Sequence, residues 1–177
     1  MELSGREVWT VLHGLIFGTV FLLAFAGGLA GLWSLRAELI TVAGLQERMR
    51  RLWAGVWSMA IIAWVTVVTG TYIVYPWYRE APPEGTEDLV PYPRNFLLAD
   101  PDKDLWHQFG MEWKEHIAWT APMLATAVAV IVTLYGHRLA HDSRLRYATM
   151  VLFFLAFAVA GVAGLLGAFI NKAAPIR

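Results

Sequence analysis

Two histidines, His13 and His116, and two carboxylates, Glu112 and Glu115, are the residues of this 177-residue chain whose types and positions best suit chemistry. His116 stands in the run HQFGMEWKEHIAW, residues 107–119, where Glu112, Lys114, Glu115 and His116 crowd together at the threshold of an apolar stretch. His13 lies six residues past Glu7, roughly 9 Å further along a helix than the last charge before it. An ionisable side chain held that far from water is expensive, and is functional by default. Two neutral imidazoles aimed at each other from opposing helices suit the axial positions of one b-type haem, whose iron takes a nitrogen above and below its ring. His13 and His116 are therefore the expected metal ligands. Beside His13, Gly14 leaves space for a flat macrocycle and Phe17 offers it an apolar wall. Arg79, Lys114 and Arg94 are candidate cations for its propionates. Quinol oxidation releases protons, and Glu112, Glu115 and His107 are the candidate acceptors by general base action. Glu112, one helical turn before His116, is placed to orient that imidazole through its second nitrogen.

The elements that must carry these groups are helices in a bilayer. Hydrophobic residues make up 58% of the chain, nine residues are tryptophan, and the mean hydropathy is +0.50, beyond what an ordinary soluble domain needs. Val8–Leu35, Leu52–Tyr78, Ile117–Gly136 and Tyr147–Asn171 contain no Asp, Glu, Lys or Arg. A helix crosses about 30 Å of hydrocarbon with about 20 residues, so each can span. The first stretch lacks a convincing cleavage site and reads as a retained helix. The expected fold is all-α: one transmembrane domain over residues 1–177, an up-down-up-down bundle of four helices at about 8–35, 52–76, 105–137 and 147–171. In that order the first and third helices run parallel and can face each other across the core. A long outer connection, about 77–104, holds Pro82, Pro83, Pro91, Pro93 and Pro101, which oppose a regular helix. It reads equally as a solvated cap or a docking surface for a partner.

A net charge of zero conceals an asymmetry. The short connections 36–51 and 137–146 carry seven basic residues against three acids, Glu38, Glu47 and Asp142, whereas the rest of the chain carries seven against eleven. The basic side reads as cytoplasmic, which puts both termini on the outer side of a bacterial or archaeal inner membrane. Trp9, Trp77, Trp106 and Trp113 mark the outer border, Trp33 and Trp53 the inner one. The absence of cysteine excludes disulfides, thiolate metal sites and haem attached through C-x-x-C-H. A nucleic-acid role is disfavoured, because the arginines hug a membrane border with no separate domain.

Other residues read more plainly. At 100° per residue His107 and His116 point to opposite sides of one helix, so they share no site. His137 and His141, one turn apart, lie on one side of their helix and cannot clamp an iron between them. Gly27/Gly31 and Ala160/Gly164/Ala168 read as small-residue helix packing. Trp53, Trp57 and Trp64 share a face suited to packing on another helix, and Pro122 should interrupt the third helix near Ala118.

With His13 in the first span and His116 in the third, the chain resembles the class of membrane-integral b-type cytochrome subunits of quinone-linked respiratory or photosynthetic complexes. The resemblance rests on these two histidines and the helix layout. It implies haem b, an electron-transfer role between the quinone pool and a periplasmic redox protein, and other membrane subunits as partners. A cofactor-free accessory subunit is the alternative, with His13 bonded across the bundle. A transporter would require a second intramembrane carboxylate, which is lacking. For a metal-dependent oxygenase, Glu112, Glu115 and His116 could hold one hard or borderline metal ion, but five dispersed histidines suit a multi-histidine di-metal cluster poorly.

Overall fold

The computed structural model describes residues 4–36 and 41–175. Glu2, Glu38 and Arg177, counted in the charge balance above, lie outside them. The described residues form helices α1 (Gly5–Ser34), α2 (Val42–Tyr78), α4 (Trp106–His141) and α5 (Ser143–Ala173), each long and apolar enough to cross a membrane. A short α3 (Pro93–Leu98) stands between α2 and α4. The chain is a multi-pass membrane protein. Large side chains such as Leu23, Leu134 and Leu165 turn outward, as lipid-facing residues do.

Several boundaries differ from those expected. α2 begins ten residues before Leu52, because the charged run through Arg51 continues the helix, with Glu47 accepting from Arg51 Nε at 2.8 Å and Arg50 Nη2 at 3.2 Å. The expected connection 137–146 shrinks to Asp142, whose carboxylate accepts from the backbone N–H groups of Arg144 and Leu145 and starts α5. α3 forms inside the proline-rich connection because Pro93 takes the first helical turn, where its missing N–H has no partner to lose. Ahead of α4, Lys103 donates to Asp100 at 2.5 Å and holds that carboxyl below the ordinary carboxylate range, helped by the N–H of Asp102.

Contacts gather into two compact units. The arginine-side unit spans residues 19–64 and 120–159. Its helices meet through glycine and aromatic residues: Phe153 covers Gly28, Leu52 packs on Gly31, and Phe25 stacks on Phe157 at 4.0 Å between centroids. Gly28, not Gly27, makes the close approach; nothing lies within 4 Å of a Cβ built on Gly27 or Gly164. Trp57 and Trp64 donate to Thr133 (3.1 Å) and Thr126 (3.0 Å), tying α2 to α4 as the packing reading of that stripe expects. Buried Arg146 donates to the carbonyls of Leu139 and Ala140, satisfying the end of α4.

The loop-side unit comprises residues 1–18, 65–119 and 160–177. Ser4 and Glu7 form a capping box that starts α1, and Arg6 pairs with Glu80 at 2.7 Å. Leu97 of α3 is fully buried in a cluster with Tyr78, Met111, Ile170 and Ala174, so the proline-rich connection is anchored on the helix ends.

Candidate functional site in the loop-side unit

All the π-helical winding of the described residues falls in the loop-side unit. The N–H of Phe17 bonds the carbonyl of Leu12, that of Tyr75 the carbonyl of Gly70, and that of Ala118 the carbonyl of Trp113, each five residues back. Such widened turns concentrate at functional sites. Pro76 explains the second: its ring would crowd the carbonyl of Tyr72 in a regular helix, and the wider turn relieves that clash. Pro122 acts likewise in α4, which breaks into a turn at 118–119 before resuming at Thr120.

His13 sits in the first of these turns and faces α2. Its ring fits a notch at Gly70, where a Cβ would come within 2.7 Å of Cε1 and 3.2 Å of Nε2. Nδ1 lies 3.4 Å from Thr69 Oγ1, and the Thr66 carbonyl is a second acceptor. Because the Thr69 hydroxyl spends its proton on the Val65 carbonyl (2.7 Å), it accepts from His13, which places the imidazole proton on Nδ1. Gly14 is exposed with nothing within 4 Å of a Cβ built there, and Phe17 is half-buried.

His116 is placed differently. Its Nδ1 donates to the Glu112 carbonyl at 3.0 Å, with the Glu112 carboxylate 3.4 Å away, and its side chain is 69% exposed. The hydrogen bond thus goes to the Glu112 backbone, not to the carboxylate expected there from the spacing. Both histidines carry the tautomer that an Nε2 ligand requires, yet His13 turns to α2 and His116 turns outward. A haem between them requires one side chain to swing, so this arrangement does not fit a bis-histidine haem.

Lys114 departs most from expectation. Rather than reaching the surface for a propionate, its amine occupies the space where a Gly167 side chain would stand on α5, and it lies within electrostatic reach of His13. No carboxylate pairs with the amine among the described residues. Lys114 is half-buried, eight residues into α4. Beside it in sequence, Trp113 has a buried indole N–H with no partner, as does Nε of Arg94 in α3.

Two proton-carrying pairs complete the site. Tyr75 donates to the Glu115 carboxylate, and Tyr78 bonds His107 Nδ1 at 2.9 Å. The two phenol rings stack at 6.1 Å, Arg79 lies over the Tyr75 ring at 5.4 Å, and Arg94 is close enough to act on Tyr78 and His107. Tyr75, Tyr78, Thr69 and Gly70 were missed in the sequence, and Trp113 was read only as a border residue; the YPWY run, with its proline inside an apolar helix, was the available signal. The structure therefore brings together His13 with Lys114, and Glu115 and His107 with tyrosines, whereas His116 and Glu112 stay apart as an exposed pair. No family model matches this chain, and neither a curated protein nor a solved structure does.

Proposed function

We propose that the protein is an integral subunit of a quinone-linked redox complex in a bacterial or archaeal inner membrane, and that its loop-side unit receives a quinol head group. The observation that carries this reading is the imbalance of the site: a buried indole N–H lacks an acceptor and a half-buried amine lacks an ion-pair partner among the described residues, next to Tyr–Glu and Tyr–His pairs able to take protons. A quinone is apolar apart from two carbonyl oxygens, both acceptors, and reaches such a site from the bilayer. Lys114 and Trp113 supply donors for one oxygen. Oxidation of the quinol releases two protons and two electrons. Glu115 and His107, each hydrogen-bonded to a phenol, receive and pass on the protons; the electrons leave to a redox centre of a partner subunit or a periplasmic protein. The reduced-minus-oxidised spectrum of the native complex, compared with those of the His13→Ala and His116→Ala variants, reports whether either histidine ligates a haem b.

The decisive measurement is quinone binding to the purified chain in nanodiscs, followed by quenching of tryptophan fluorescence. Saturable binding is expected, weakened about tenfold or more by Lys114→Met, as loss of one charge-assisted hydrogen bond implies. Absence of saturable binding, or an unchanged affinity in the variant, sinks the reading. One observation favours a second reading, a cofactor-free accessory subunit: His13 is hydrogen-bonded and packed against Gly70, which is how a structural histidine sits.

A further inference from the structure

We propose that the cleft between α2 and α4 in the arginine-side unit is a binding site for one anionic phospholipid. The cleft, about 320 Å³, is lined by Met49, Arg50 and Trp53 of α2 and by Leu134, Gly136 and Arg138 of α4. At its base the Met49 thioether packs into the space that Gly136, lacking a side chain, leaves on α4. A second, wider depression shares Arg138 and His137 and continues to His141 and Asp142.

The chemistry of the lining is divided in the way a lipid is divided. Arg50 and Arg138 provide guanidinium groups at the charged end, where a phosphodiester accepts paired N–H donors. Of the acids nearby, Glu47 is engaged by Arg50 and Arg51, and Asp142 accepts from the N–H groups that open α5. Arg138 has no ion pair among the described residues. Positive charge therefore exceeds negative around the cleft. Away from the arginines, Trp53 and Leu134 are 48% and 67% exposed and continue the lining with apolar surface on which an acyl chain can lie. Basic pockets between membrane helices suit acidic head groups, and an indole at their edge suits the interface. This proposal is independent of the quinone reading.

The test is native mass spectrometry of the full chain released from detergent, titrated with phosphatidylglycerol or phosphatidylcholine. One phosphatidylglycerol is expected to be retained in preference to phosphatidylcholine. Each arginine near the surface is worth about fivefold, so the Arg50→Ala/Arg138→Ala pair should lose affinity on the order of twentyfold. Arg51→Ala/Arg144→Ala, at the same end but outside the cleft lining, should lose little. Equal binding of the two lipids, equal loss in both double variants, or displacement of the lipid by inorganic phosphate alone would each overturn the proposal. Both lining arginines are exposed, so the variants are expected to fold, and an unchanged circular dichroism spectrum checks this.

Discussion

Gly14 and Gly70 differ in what surrounds them, and that difference is measurable. A Cβ at Gly70 would strike the His13 ring at 2.7 Å, so Gly70→Ala must displace the imidazole or part the two helices. Overpacking of this kind costs about 1–3 kcal/mol. Gly14 meets nothing within 4 Å, and alanine there gains up to about 1 kcal/mol of helix propensity. Unfolding of the two variants by graded denaturing detergent should move in opposite directions; a Gly70→Ala chain as stable as the parent would remove His13 from its notch. At this scale the sequence was only partly legible. The depth of His13 and the Glu112–His116 spacing could be read directly. The partner of His13 could not, because any of the other spans could supply one. Lys114 misled for a related reason: lysine normally reaches for the surface, and only the bare backbone at Gly167 makes an inward course possible.

Proline acts at the scale of the element. Pro76 and Pro122 each lie in the first turn of regular helix that resumes after a widened turn or a break. Pro76→Ala restores a backbone donor and should stabilise α2, by a fraction of the roughly 3 kcal/mol that an interior proline costs. The same change should tighten Gly70–Val74 and weaken quinone binding by shifting Tyr75 and Tyr78. A variant that is more stable and binds quinone as well as the parent would show that the π turn is incidental to the site. The interruption at Ala118 was legible because proline chemistry is local. The phase relation of His107 and His116 was not, since 100° per residue ceases to apply where bonds run five residues back. The expected inner connection 137–146 failed for another reason: charged residues were read as loop, although Arg, Leu, Ala and His sustain a helix until Asp142 caps the next.

For the whole molecule, the order of spans yields a prediction that the absence of cysteine makes simple to test. Single cysteines at Ser4 and Glu84 should react with a membrane-impermeant maleimide from one side of sealed vesicles, and one at Arg144 from the other. Labelling of all three from the same side would refute the up-down order and with it the assignment of both termini to the outer face. By itself the sequence determined the all-helical class, four apolar spans and the segregation of arginines to one set of connections. Those properties follow from composition along the chain, which a bilayer reads one segment at a time. Only the tertiary structure decided that His13 faces Gly70 and Thr69, that Lys114 points to Gly167, and that Tyr75 and Tyr78 hold Glu115 and His107. The physical reason is that a widened turn rotates every residue beyond it, so which side chains meet depends on where such turns fall and on what the neighbouring helix leaves open.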